Sequence, residues 1–188
     1  DHRDLHSFPT RRSSDLIYFI VHNIVAKTNL FLVSGLAQRL GGSYDLKRLG
    51  GLYRASPALT VLFLLPALSL AGVPPLSGFF GKLLLVQAGI AAGGYGIVAI
   101  ALFVSLLTLF SMNKIWSEAF WKPAPGAPPR APEPRRRTAA LWTPVVLLAA
   151  LTVALGVGAE PAFELALGAA EQLIEPSGYI EAVMGARR

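Results

Sequence analysis

The chain has no cysteine among its 188 residues. Disulfides, thiolate metal sites and cysteine-ligated iron–sulfur clusters are therefore excluded. Histidine is scarce: of three in all, only His22 falls inside a long apolar run, which leaves a membrane haem short of ligands. Charge is scarce too, at 15% of residues against 53% hydrophobic. That balance suits a protein that crosses the bilayer several times better than a soluble domain. The net charge of +6 raises nucleic acid as a partner. The basic residues gather in short loops between apolar runs, however, where charges flanking membrane spans belong. No nucleic acid, cofactor, metal or catalytic site is expected.

What is present is a set of membrane-length apolar runs. About 20 apolar residues suffice to cross a bilayer. The first run covers Ile17 to Leu36. The second is an interrupted unit from Pro57 to Ala92, with Ser56 placed to cap it and Pro57 at its first helical position. The third runs from Tyr95 to Phe120 and the fourth from Ala139 to Gly158, with Pro144 in the early turns of the fourth. The expected fold is all-α and polytopic, with about four transmembrane elements, one of them discontinuous. Residues 17–158 form the transmembrane domain. Residues 159–188 form a tail in which Phe163, Leu167, Ala170 and Ile174 recur at helical spacing, and Pro176 is expected to stop that helix.

The loops give a consistent orientation. The segment after the first run carries Arg39, Lys47, Arg48 and Arg54. The loop from Lys122 to Thr138 carries Lys122, Arg130, Arg135, Arg136 and Arg137, and its Pro-Ala composition reads as an extended connector. Loops 39–56 and 122–138 are accordingly expected in the cytoplasm and the acidic tail outside.

Two lysines lie where the bilayer should be. Lys27 is roughly ten residues from either end of its run, too far for its side chain to snorkel to the interface. Lys82 follows Gly72-Val73-Pro74-Pro75-Leu76-Ser77-Gly78, a string that cannot continue a regular helix. A charge and a helix break at membrane depth are tolerated mainly beside protein or water, and such breaks recur at ion sites in transporters. If Ser77 caps the second half-helix, Lys82 stands near a positive dipole end, where the ammonium form is disfavoured. His22 and Lys27, five residues apart, diverge by about 140° around the helix, whereas Asn23 and Lys27 share a face. Asn23, Thr28 and Asn29 are expected to line a hydrated path. Lys114 and Glu118, four residues apart, read as an interfacial pair. Trp116, Trp121 and Trp142 read as belt residues.

The strings His22…Lys27-Thr28-Asn29-Leu30-Phe31-Leu32-Val33-Ser34-Gly35, Leu49-Gly50-Gly51-Leu52 and Ser69-Leu70-Ala71-Gly72-Val73-Pro74-Pro75-Leu76-Ser77-Gly78-Phe79-Phe80-Gly81-Lys82 resemble the antiporter-like membrane subunits. Mrp-type multisubunit cation/proton antiporters and respiratory complex I share these subunits, and the strings are most similar to the D-type members of the Mrp group. The resemblance implies the C-terminal part of a larger subunit of about fourteen helices. It implies that Lys27, Lys82 and His22 belong to a hydrated proton path centred on a broken helix marked by Gly72, Pro74, Pro75, Ser77 and Gly78. It further implies exchange of protons for monovalent cations, sodium foremost, alongside other membrane subunits of a hetero-oligomer in the bacterial plasma membrane. The rival is a proton-pumping subunit of an NADH:quinone oxidoreductase or a related membrane hydrogenase. A passive anchor predicts no special placement of charge, so Lys27 and Lys82 argue against it.

Residues 1–16 are polar and end abruptly at the apolar run from Ile17. His6–Leu16 reads HSFPTRRSSDL, which is one reading frame of a common sequencing adapter. The segment is expected to be an assembly artefact outside the fold. A long sequencing read through the locus should replace these codons with others. Recovery of the same codons from the cell would overturn that reading.

Overall fold

The computed structural model describes residues 2–124, 135–175, 180 and 183–185. Among them the regular structure is helical throughout. In chain order the elements are α1 (His2–Gly41), the short α2 (Leu52–Ala55), α3 (Pro57–Ala71), α4 (Ser77–Ala91), α5 (Tyr95–Ile115), a π-helical turn (Trp116–Trp121), α6 (Arg135–Val157) and α7 (Ala159–Ile174). Ser13–Gly41, Tyr95–Trp121 and Ala140–Val157 are each long and apolar enough to cross a membrane. The chain is a polytopic helical membrane protein, as its composition requires.

The broken unit is explained by length. Each half, α3 and α4, has 15 residues. At 1.5 Å per residue that is about 22 Å, short of the roughly 30 Å hydrocarbon core. The two halves together make one crossing. The Ser56 hydroxyl accepts from the Leu59 N–H at 3.3 Å, and Pro57 occupies the first helical position, as the sequence predicts. Helix α3 also accommodates Pro66, and α6 continues through Pro144.

Two expectations about boundaries change. Helix α1 begins at His2, takes in the segment expected to lie outside the fold, and runs unbroken to Gly41, with Ser14 and Asp15 buried. The basic connector is shorter than the sequence suggests, because α6 begins at Arg135. Arg135 to Ala140 contains no residue that breaks a helix. The rest of that connector, residues 125–134, and Pro176 lie outside the described residues.

Helix α1 is the spine. It packs against α3, α4, α6 and, most extensively, α7. The core sits at the end carrying the basic loops, where Val33, Leu36, Leu52, Leu59, Phe63, Phe120, Val145 and Ala149 meet. Phe120 stacks between Phe63 and Trp116, at centroid distances of 4.7 and 5.3 Å. Trp116 is therefore a core wedge, while Trp121 is exposed beside Tyr53. The two basic loops touch: the Lys122 carbonyl accepts from the Gly51 N–H at 2.6 Å. The Lys122 ammonium donates to the Lys47 carbonyl at 3.3 Å. Both loops thus lie at one end of the bundle.

The opposite half of the bundle depends on close backbone approach. A Cβ placed on Gly156 of α6 would lie 2.5 Å from the Pro75 carbonyl oxygen and 2.7 Å from the Ser77 nitrogen. Backbone cannot rotate away as a side chain can, so α6 must shift. Gly156→Ala should lower stability by about 1–3 kcal/mol, the usual cost of overpacking. Gly96→Ala, where a Cβ meets nothing within 4 Å, is the control. Thermal unfolding in detergent compares them, and equal midpoints would contradict the packing described.

Candidate functional site: a cavity at the helix break

Helix α3 ends at Gly72, whose φ of 90° is left-handed and open to glycine at little cost. The Gly72 N–H donates to the Leu68 and Ser69 carbonyls, and the Val73 N–H also donates to Leu68, each at 3.0 Å. This closure leaves other carbonyls of the last turn without helical partners. Lys82 supplies the answer. From the second turn of α4 its ammonium donates to the Leu70 carbonyl at 2.7 Å and to the Ala71 carbonyl at 3.1 Å. The negative end of the α3 dipole thus holds the cation. Reasoning from the sequence set Lys82 against the positive end of α4 and left the carbonyls before Gly72 to water or a cation; that the lysine itself fills them is a tertiary fact.

The start of α4 corrects a second expectation. Ser77 is not its cap: it is the first helical residue, and the preceding Leu76 offers no side-chain acceptor. The capping oxygen comes from the other half-helix. The Ser69 hydroxyl accepts from the Gly78 N–H at 3.2 Å and bonds the Ser77 hydroxyl at 3.1 Å. Ser77 in turn bonds His22 Nδ1 at 2.8 Å. A Cβ on Gly78 would strike the Ser69 carbonyl and stand 2.8 Å from His22 Nε2, so only glycine fits there. Pro74–Pro75 is a cis peptide within the break.

His22 is buried by α4, while Lys27 is exposed on the open side of α1, as their angular separation requires. Both nevertheless border one cavity of about 1050 Å³ between α1, α3, α4 and α5. Lys82 and Asn23 border it as well, among mainly apolar neighbours such as Phe19, Leu85 and Ala101. The sequence-predicted His22, Lys27 and Lys82 are therefore brought together, with the break at one wall.

The Asn23 amide nitrogen donates to the Phe19 carbonyl at 2.9 Å while the residue stays on the cavity border. Two other candidates go elsewhere. Asn29 is fully buried against α6. In the orientation that satisfies both ends of its amide, it donates to the Val145 carbonyl at 3.3 Å and accepts from the Ala149 N–H at 3.1 Å. It is a clamp between α1 and α6, not a path residue, and Thr28 is exposed away from the cavity lining. Glu118 pairs with Lys122 at 3.1 Å and not with Lys114. Both lysines stand four residues from Glu118, and it takes the one at the end of the π-helical turn. Two contacts had no warning in the pattern. Ser69 reaches across the break, and the Tyr18 hydroxyl donates at 2.8 Å to the Leu155 carbonyl in the last turn of α6. The only sequence signal for Ser69 is that serines bracket the break.

Comparison with known proteins sets this geometry in context. The family described as NADH:quinone oxidoreductase/Mrp antiporter, TM matches residues 10–108. The D subunit of the Na(+)/H(+) antiporter of Alkalihalophilus pseudofirmus is 46% identical over 168 residues, covering 89% of this chain and 34% of that protein. The solved Mrp complex from Dietzia sp. contains a chain that superposes with a TM-score of 0.75 at 32% identity, over 91% of this chain and 39% of the other. Respiratory complex I from Thermus thermophilus gives a TM-score of 0.57 at 31% identity, over 77% of this chain and 33% of the other. The chain spans about a third of the length of the curated relatives it matches.

The clamp role of Asn29 is separable from transport. Asn29→Leu should cost about 1–3 kcal/mol of stability through the lost buried hydrogen bonds, while leaving ion exchange per assembled complex unchanged. Exchange lost at full assembly would return Asn29 to the path.

Proposed function

We propose, from the premise that the chain belongs to the NADH:quinone oxidoreductase/Mrp antiporter transmembrane family, that it is part of a proton-translocating subunit of a sodium/proton antiporter. One observation carries the proposal: His22, Lys27 and Lys82 converge on one cavity at a broken helix. Each can hold or release a proton, and the cavity is large enough to admit water beside them. Lys82 carries the central step. Its ammonium sits on two carbonyls that favour the charged form, in apolar surroundings that favour the neutral one. A change in the grip of those carbonyls therefore shifts its proton affinity. Lys27, on the open side, hands protons between Lys82 and the water-filled part of the path.

The setting follows from the same reading. The subunit sits in the bacterial plasma membrane with other membrane subunits of a hetero-oligomeric complex. The touching basic loops, 39–56 and 122–138, face the cytoplasm and the tail lies outside. The exposed apolar faces of α5 and α7 meet lipid or those subunits. The chemistry takes protons and monovalent cations and calls for no cofactor.

The likeness to complex I supports one alternative, a proton-pumping subunit of an NADH:quinone oxidoreductase or a related hydrogenase. The local chemistry is the same in both, and the partners differ. The greater likeness to the Mrp complex favours the antiporter.

Lys82→Ala in the complete subunit should reduce sodium-driven proton movement to background in everted membrane vesicles, with assembly intact. Unchanged exchange with normal assembly refutes the role given to Lys82. Exchange that appears only with quinone reduction selects the redox-driven pump.

A further inference from the structure

The geometry points to Ser69 and Ser77 as positioning residues, a hydroxyl pair that fixes which nitrogen of His22 carries the hydrogen. The inference rests on the reading of His22 as a proton-path residue. It begins from a count of hydrogens. The Ser69 hydroxyl oxygen already accepts from the Gly78 N–H at 3.2 Å. Its own hydrogen has one acceptor among the described residues, the Ser77 hydroxyl oxygen at 3.1 Å. Ser77, accepting from Ser69, directs its hydrogen onward to His22 Nδ1 at 2.8 Å. Nδ1 is then an acceptor, and a neutral imidazole must carry its hydrogen on Nε2. The backbone N–H of α4 thus sets a direction that passes through two serines to the imidazole.

Burial makes the chain of bonds specific. Ser69 and Ser77 are fully buried and His22 is 1% exposed. Water does not compete for these three groups, and each lost bond leaves a buried polar atom unmatched. Nε2 has no hydrogen-bond partner among the described residues, and His22 borders the cavity shared with Lys27 and Lys82. Nε2–H is therefore the end of the imidazole that the serines leave free, in a residue that borders the cavity. The arrangement is that of a metal-bound histidine, whose second nitrogen sets the tautomer of the first. Here the outer partner is a helix break and the inner one is the cavity.

The device also joins two parts of the molecule. If His22 carried its hydrogen on Nδ1, Ser77 would have to accept from it and turn its own hydrogen toward Ser69. Ser69 would then receive two donors and lack an acceptor for its own hydrogen among the described residues. The proton arrangement of His22 and the junction of α3 with α4 are consequently tied together.

The test is nitrogen-15 NMR of histidine in the complete, labelled subunit, with the His22 signals identified by their loss in H22N. The unsubstituted protein should show a single neutral tautomer, protonated at Nε2. S77A removes the donor to Nδ1, and the tautomer preference should fall about fivefold, the worth of one neutral hydrogen bond. S69A removes the only other acceptor for the Ser77 hydrogen among the described residues, so Ser77 still donates to Nδ1 and the Nε2 tautomer should persist, while the Gly78 N–H loses its acceptor. If S77A does not assemble, S69A and the unsubstituted protein decide. An Nδ1-protonated His22 in either of them overturns the proposal, as does an unshifted tautomer in S77A. In vesicles, S77A should lower exchange turnover about fivefold and leave the apparent KM for sodium unchanged. The tautomer readout is independent of transport. A tautomer shifted in S77A with exchange turnover unchanged would sink the reading of His22 as a proton-path residue and leave the positioning role standing.

Discussion

A helix broken inside a bilayer exposes two sets of backbone groups where no solvent can serve them. The structure depends on how those groups are matched. The ammonium of Lys82 takes the carbonyls of Leu70 and Ala71, and the hydroxyl of Ser69 takes the N–H of Gly78. Each half-helix satisfies the end of the other. The polar residues at the cavity are thus also the ones that make the break tolerable. A lysine at this depth is costly alone, and so are bare carbonyls, but the two offset each other.

The surrounding helices are arranged to protect that exchange. Helix α1 brings His22 against the break, and α6 passes so close that Gly156 has no room for a side chain. Asn29 and Tyr18 fasten α1 to α6 at two heights, through Val145 and Ala149 and through Leu155. These ties leave the far side of α1 to the cavity, where Lys27 stands. Rigid packing on one side and open space on the other come from a single helix whose two faces differ.

Much of this was legible in the sequence. The apolar runs, the cap at Ser56, the break between Gly72 and Ser77 and the grouping of basic loops follow from composition and local rules. So does the divergence of His22 from Lys27. What escaped was tertiary. The partner of Lys82 lies 12 residues back on another helix, and the cap of α4 comes from Ser69. Asn29 was read as part of a path because polarity in a span draws attention, whereas its amide is consumed by α6. Glu118 has a lysine four residues away on each side, and spacing alone does not choose between Lys114 and Lys122.

Helix α5 forms one wall of the cavity through Val98, Ala101, Ser105 and Thr108. Between Val98 and Ala119 none of its residues is buried, whereas the residues at both ends of that stretch are. Mechanically it is a beam supported at two points and unloaded along its middle. Such a beam bends most at mid-span. The width of the cavity is thus set by the element with the least packing of its own, and whatever lies against the outer face of α5 sets the load on that beam.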